Sequence, residues 1–133
     1  MSEGKNKRVA TADVLCIGPK TLEDKLTYYA ADAVVWDPVM RVAGFAKTAT
    51  VSGFEEVKKF FTWLANLPPV QAKVQNVFGE GDKVTVEWLL QGGEGAKKFE
   101  IPCANIYDFK GGKIKGVRMH FDSAHFAEII SVK

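Results

Sequence analysis

The chain has 133 residues, of which 47% are hydrophobic and 26% are charged, the composition of one soluble globular domain. Its 18 basic and 16 acidic residues leave a net charge of +2, too balanced to indicate binding to nucleic acid or to a membrane surface. No apolar run approaches the roughly 20 residues of a membrane span, and no secretory signal is recognisable, so a cytoplasmic location is expected.

The N-terminal part of the chain is expected to be partly helical. Residues 1–8 carry the basic run KNKR and are predicted to be a flexible tail of a single domain that spans 1–133. Residues 8–18 could form a helix, but the stretch is short and its type stays open. Residues 20–32, KTLEDKLTYYAAD, have the apolar spacing and the acidic first turn of a helix.

A strand and a second confident helix follow. Residues 33–37, AVVWD, are predicted to be a strand that a proline stops, and residues 41–51 are predicted to be a loop. Ser52 is expected to cap a helix over residues 53–67, with Glu55 completing a capping box.

Beyond residue 69 the hydrophobic period changes to two, which is typical of strands. Four strands are predicted, over residues 70–81, 83–91, 97–109 and 113–122. The last stretch, 123–130, is either a short helix or an extended tail. Segregated helices followed by an antiparallel meander predict an α+β domain whose bent sheet encloses a cavity.

Strand parity and helical spacing assign side chains to the cavity. The predicted pocket lining is apolar: Val35, Phe60, Val84, Val86, Trp88, Ile101, Cys103, Val117, Met119 and Phe121. Asn105 is the single amide on this face. A buried amide needs partners, so Asn105 either satisfies backbone at a sheet irregularity or points a donor at a ligand.

Asp37 ends the first strand on the face that also carries Val35. An apolar wall would raise the pKa of this carboxyl toward the range that suits a general base. The alternative is that Asp37 only begins a turn before Pro38, where aspartate is common.

The remaining reactive side chains form no recognisable constellation. Cys16 and Cys103 are far apart and are expected to be free thiols. His120 has outward parity, and His125 would reach the pocket only if the C-terminal segment folded back. No metal-ligand cluster or nucleophile arrangement is recognisable, so neither a metal nor another cofactor is expected.

The order and spacing of four segments resemble the nuclear-transport-factor-2-like superfamily, which includes ketosteroid isomerases, SnoaL-like polyketide cyclases and limonene epoxide hydrolases. The segments are YYAADAVVWDPV, GFEEVKKFFTWLANL, GEGDKVTVEWLLQG and IYDFKGGKIKGVRMHFD. The resemblance covers about residues 21–122. It implies a cystatin-like α+β cone, in which a curved antiparallel sheet wraps around a long helix and an apolar pocket opens at one end.

The resemblance also implies catalytic residues. The stretch DAVVWDP places Asp37 at the position of the general base of ketosteroid isomerases, an aspartate that works with an oxyanion hole. Asn105 matches the second acid of that oxyanion hole, and Tyr29 matches a tyrosine that supports it. The main oxyanion tyrosine has no counterpart in residues 8–18. Met119 stands where limonene epoxide hydrolases have their catalytic aspartate.

Two functions therefore stay open. The first is a cofactor-free isomerase or cyclase, in which Asp37 takes a proton beside a carbonyl of an apolar, steroid- or polyketide-like compound, and Asn105, with Tyr29, holds the oxyanion. The second is a non-catalytic module of the same fold that binds an apolar ligand or a protein partner. In both cases a homodimer through the sheet is expected, and neither nucleic acid nor membrane is an expected partner.

Overall fold

The structure, a computed structural model, describes residues 2–131 and the side chains of residues 4–129. The helices are α1 (Ser2–Leu15), α2 (Leu22–Thr27), α3 (Val39–Val42), α4 (Phe54–Ala65) and α5 (Ser123–Ser131). The strands are β1 (Tyr29–Trp36), β2 (Thr50–Ser52), β3 (Val70–Glu80), β4 (Lys83–Gly92), β5 (Phe99–Lys110) and β6 (Lys113–Phe121). All six strands join one curved, unclosed sheet in the order β2-β1-β6-β5-β4-β3.

The sheet confirms the predicted α+β cone. Strands β3 to β6 form the predicted antiparallel meander. Strand β1 lies beside β6 and runs parallel to it, with Val35 opposite Val117. Helix α1 contacts β3 and β4, and helix α4 contacts β1 and β2, so the two long helices cover one face of the sheet. None of the helices in residues 2–131 combines the length and the apolarity that a membrane crossing requires.

The N-terminal prediction is corrected by helix α1. Residues 2–8 were expected to form a tail but lie in a 14-residue helix. Its buried positions are Asn6, Ala10, Asp13 and Val14, which have helical spacing but are half polar. Because two of the four buried side chains are polar, the stretch has no apolar stripe for the sequence to reveal. The Asn6 amide donates to the Gly81 carbonyl at 3.1 Å, which ties the helix to the β3–β4 turn.

The predicted helix over residues 20–32 is also shorter than expected. Helix α2 ends at Thr27, and strand β1 begins at Tyr29. The pairing of β1 with β6 shifts register between Tyr29 and Val34, and Ala31 is exposed between the buried Tyr29 and Ala33. The bulge thus interrupts the period-two pattern by which the sequence would reveal a strand.

Two details around α4 differ from the prediction. The expected loop over 41–51 contains the end of α3 and the start of the edge strand β2. Gly53, not Ser52, occupies the N-cap position of α4, with a φ of 86° that favours glycine. Glu56, one residue later than the predicted capping partner, accepts the Ser52 N–H at 2.9 Å. The C-terminal alternative is settled in favour of a helix, because α5 spans Ser123–Ser131.

Candidate active site

A cavity of about 190 Å³ opens at one end of the sheet, between the concave face and the helices. The strands line it with Trp88, Leu90, Cys103, Asn105, Met119 and Phe121. Trp88 pairs with Cys103, which pairs with Phe121, so these three side chains form one row across the sheet. Helix α5 folds back to this end and adds Phe126, whose ring meets that of Phe121 edge-on at 6.0 Å.

The structure divides the predicted lining into two groups. Trp88, Cys103, Met119 and Phe121 line the cavity. The other six fill the core and do not line it: Val35, Phe60, Val84, Val86, Ile101 and Val117. Strand parity identifies the face of the sheet on which a side chain lies, but not how far along the cone it lies. These six side chains lie where the interior is closely packed, so no cavity remains beside them.

Asp37 combines a turn contact with a place in the cavity wall. It follows β1, and its Oδ1 accepts the Val39 N–H at 2.9 Å, which stabilises the turn into α3. It also lines the cavity at 2% exposure. Burial raises its pKa from 3.8 to about 7, against the opposing effects of the Val39 hydrogen bond and the Lys25 charge. Among the described residues, nothing donates to its second oxygen.

Asn105 also lines the cavity, and a chain of hydrogen bonds fixes its amide. Trp88 Nε1 donates to Asn105 Oδ1 at 3.0 Å. An indole N–H can only donate, so the amide nitrogen must face the other way, where it donates to Tyr107 Oη at 3.1 Å. Tyr107 Oη in turn donates to Asp13 Oδ2 at 2.6 Å. Only one of the two amide hydrogens has a partner in the described part of the chain, which leaves the second for a ligand.

This series of hydrogen bonds ends at a buried ion pair that the sequence did not predict. Asp13 is fully buried, and its Oδ1 lies 3.0 Å from Lys25 Nζ. Lys25 Nζ also donates to the Asp13 carbonyl at 2.9 Å and lies 4.7 Å from the centre of the Phe61 ring. The only signal in the sequence was that a carboxylate and an ammonium occupy helix positions that face inward. Charged side chains are rarely buried at such positions unless they are paired.

Tyr29 lies deeper than the cavity wall. It is 5% exposed, its ring centre lies 5.1 Å from that of Phe61 in a tilted arrangement, and it does not line the cavity. Burial and the neighbouring Asp13 carboxylate raise the pKa of its hydroxyl well above the usual value. The hydroxyl makes no hydrogen bond of good geometry to the residues described here. It therefore borders the Asp13 end of the network and not the cavity.

The two cysteines are free thiols, as expected. Burial raises the pKa of Cys103 to about 12, which keeps it a neutral thiol and removes it as a nucleophile. His120 is exposed and stacks on Trp36 at 5.2 Å, in keeping with its outward parity. Within the described ranges, no group of three or more His, Cys, Asp or Glu side chains is arranged to hold a metal ion.

The arrangement can move protons. A carboxyl with a pKa near neutrality can take or give a proton at physiological pH, and an apolar wall keeps competing water away. A fixed amide donor and a buried ammonium line the same cavity. Such donors stabilise negative charge that develops on an oxygen, most strongly where water is excluded.

The comparisons with known proteins agree with this fold. The model of the SnoaL-like domain matches residues 14–117. An NTF2-like protein of unknown function from Burkholderia pseudomallei has a TM-score of 0.81 at 17% identity, over 96% of this chain and 98% of that one. No curated protein sequence matches the chain significantly.

Two further solved structures have a similar fold. A hypothetical protein with a ketosteroid isomerase-like fold from Catenulispora acidiphila, in complex with trimethylamine, has a TM-score of 0.68 at 20% identity, over 86% of this chain and 85% of that one. An LEH-like epoxide hydrolase from M. tuberculosis has a TM-score of 0.71 at 13% identity, over 96% and 90%. At these identities the likeness concerns the fold alone.

Proposed function

Because the chain belongs to the SnoaL-like domain family, within the nuclear-transport-factor-2-like superfamily, we propose that it is a cofactor-free isomerase or cyclase. Its substrate is an apolar carbonyl compound of steroid- or polyketide-like character, held in the cavity beside Asp37. The observation that carries the proposal is Asp37 itself, a carboxyl that lines an apolar cavity with a pKa of about 7.

In the proposed reaction, the ionised Asp37 takes a proton from the carbon next to the substrate carbonyl. The electron pair of the broken C–H bond moves to the carbonyl oxygen, giving an enolate and a protonated Asp37. An isomerase returns the proton at another carbon. In a cyclase the enolate carbon attacks a second carbonyl of the same molecule, whose π electron pair moves to its oxygen, and that oxygen takes the proton from Asp37. The unpartnered oxygen of Asp37 and its near-neutral pKa support this assignment.

Asn105 is the proposed donor to the enolate oxygen. Trp88 and Tyr107 hold its amide in one orientation, so donation to a ligand requires no rearrangement. Tyr29 supports the site indirectly in this proposal, because its hydroxyl borders Asp13 and not the cavity. An amide donates at any pH, so this part of the site does not depend on protonation.

Proton exchange tests the proposal without knowledge of the natural substrate. The probe is 2-tetralone, an apolar ketone with exchangeable α-hydrogens, in D2O. We expect the protein to accelerate exchange, and we expect Asp37→Asn to lose about 100-fold or more of that rate, the usual contribution of a general base. Asp32→Asn is the matched control, since Asp32 is an exposed carboxylate on the same strand.

The second candidate is a non-catalytic ligand-binding module. The absence of a tyrosine from helix α1 favours it, because loss of one oxyanion donor commonly costs about 100-fold or more in rate. This reading predicts that 2-tetralone binds in the cavity while its exchange stays at the buffer rate. Equal exchange rates for the wild type and Asp37→Asn would decide for the module and against the enzyme.

A further inference from the structure

Lys25 is the one basic side chain among the residues that line the cavity. It is 7% exposed, although lysine is almost never buried unless it is paired. Its partner Asp13 is fully buried and does not line the cavity. The cavity wall therefore includes the lysine of this ion pair, while Asp13 lies behind it.

The hydrogen bonds of the ammonium are incomplete. An ammonium has three N–H donors. In the described chain the Asp13 carbonyl, at 2.9 Å, is the hydrogen-bond acceptor, and the Asp13 carboxylate lies 3.0 Å away as an ion-pair partner. The face of the Phe61 ring, 4.7 Å away, adds a cation–π contact but no oxygen acceptor. A buried donor without an acceptor is costly, so a ligand oxygen at this point would remove that cost.

Both oxygens of the Asp13 carboxylate have a neighbour that stabilises their charge. Tyr107 donates to Oδ2 at 2.6 Å, and Lys25 Nζ lies 3.0 Å from Oδ1 as an ion pair without hydrogen-bond geometry. Part of the Asp13 charge is therefore already stabilised by Tyr107, and the attraction of Lys25 for a second anion is only partly cancelled. Lys25 also acts on Asp37, since its charge lowers the pKa of that carboxyl.

We propose that Lys25 is an anion site, and that the cavity takes an apolar molecule whose acidic hydroxyl, a phenol or an enol, binds as its anion on Lys25 Nζ. The hydroxyl O–H bond breaks, its electron pair stays on the ligand oxygen, and the proton goes to Asp37. The inference rests on the proposed function, because the enolate formed there belongs to this class of anion. In this proposal Lys25, on α2, makes the oxyanion contact that a tyrosine on α1 would otherwise make.

The protonation state of a bound phenol tests the inference. The probes are 4-nitrophenol, whose anion has its own absorption band, and 4-nitroanisole, its uncharged analogue. We expect wild-type protein to bind 4-nitrophenol as the phenolate, with an apparent pKa below that of the free compound. We also expect it to bind 4-nitrophenol about tenfold or more tightly than 4-nitroanisole, the effect of one hydrogen bond to a charged group. Binding as the neutral phenol, with equal affinity for both probes, would overturn the proposal.

Variants assign the effect to Lys25. Lys25→Met should remove the preference for the anion and leave 4-nitroanisole binding unchanged, whereas Lys59→Met, an exposed lysine of α4, should change neither. Because Lys25→Met leaves the Asp13 charge buried and unpaired, the double variant Asp13→Asn/Lys25→Met is measured as well. Retention of the anion preference in a folded variant without Lys25 would contradict the inference.

Asp37→Asn separates this inference from the proposed function. If Lys25 binds the anion, this variant takes up phenolate that is already ionised in solution. It therefore keeps the phenolate preference although it has lost the proton acceptor and proton exchange. Wild-type proton exchange without any phenolate preference would leave Asp37 as the base and overturn the role of Lys25. Phenolate preference without proton exchange would support Lys25 and overturn the proposed enzyme.

Discussion

At the scale of single residues, Asp37 combines a structural and a chemical role. Its Oδ1 holds the turn into α3, which fixes the position of the side chain at the edge of the cavity. The same burial that makes it useful as a base destabilises its ionised form. The carboxylate should therefore cost folding free energy at neutral pH.

The pH dependence of stability follows from the sign of this shift. Unfolded Asp37 loses its proton near 3.8 and folded Asp37 near 7. Below about 3.8 the two states bind the proton equally, and between the two values only the folded state retains it. Stability therefore falls as pH rises through this window and then stays lower by about 4 kcal/mol, at about 1.4 kcal/mol per pKa unit.

Asp37→Asn should remove this loss of stability at high pH, because an amide does not ionise. Its oxygen can still accept the Val39 N–H. Urea unfolding should show the variant and the wild type to be similarly stable near pH 4 and the variant to be more stable near pH 8. Asp32→Asn, at an exposed position of β1, should follow the wild-type profile. Parallel profiles for the wild type and Asp37→Asn would show that Asp37 titrates normally.

Residue by residue, the sequence could predict only part of the site. Asp37 and Asn105 were found because each interrupts an apolar strand face, a pattern that parity makes visible. Asp13 and Lys25 lie on helices whose buried positions are partly polar, so their pairing becomes evident only when the two helices are brought together. Tyr107 shares the strand parity of Asn105, but its bond to Asp13 spans 94 residues of sequence and has no local signal.

At the scale of elements, helix α5 completes the cavity. Phe126 is 6% exposed, lines the cavity and contacts Phe121. Asp122 Oδ1 accepts the His125 N–H at 3.0 Å, which fixes the start of the helix directly after β6. The short connection positions Phe126 over the open end of the sheet.

Truncation of Phe126 tests this role. Phe126→Ala should reduce the free energy of unfolding by about 3 kcal/mol, the usual cost of removing a buried aromatic ring, and should weaken binding of 4-nitroanisole. His125→Ala changes an exposed side chain of the same helix and should lie within about 0.5 kcal/mol of wild type. Chemical denaturation and ligand titration measure both quantities. Equal effects of the two substitutions would show that α5 does not close the cavity in solution.

Among the elements, the strands of the meander were predictable and the helix ends were not. The alternation over β3 to β6 is typical of strands despite a register shift between Val74 and Asn76, and the turns between them contain glycine. Helix α2 and strand β1 were merged because a bulge interrupts the alternation of buried positions at the start of β1. Helix α1 was missed in part because it buries Asn6 and Asp13 in place of apolar residues.

At the scale of the whole molecule, the outer face of the sheet carries a row of mixed side chains. Phe78, Thr85, Ile106 and Arg118 lie opposite one another across β3 to β6, and Trp36 continues the row on β1. Phe78 is 46% exposed, and Ile106 and Trp36 are half-buried. We keep the expectation of a homodimer through this face, because these three apolar side chains remain partly open to solvent and such patches mark interaction surfaces.

Sedimentation velocity tests the dimer. The wild type should sediment as a dimer, and Ile106→Arg should give monomers, because it places a second cation opposite Arg118 at the centre of the row. Val42→Arg is the control, since Val42 is 42% exposed but lies on α3, away from the sheet. A wild-type monomer, or dissociation caused equally by both substitutions, would contradict the prediction.

The proposed function depends most on a cavity carboxyl whose pKa lies near neutral pH. The most direct measurement is an NMR titration of the Asp37 side-chain carboxyl carbon in the full chain, assigned by its absence from Asp37→Asn. The account predicts a midpoint near 7. A midpoint near 3.8, the ordinary value for aspartate, would contradict it.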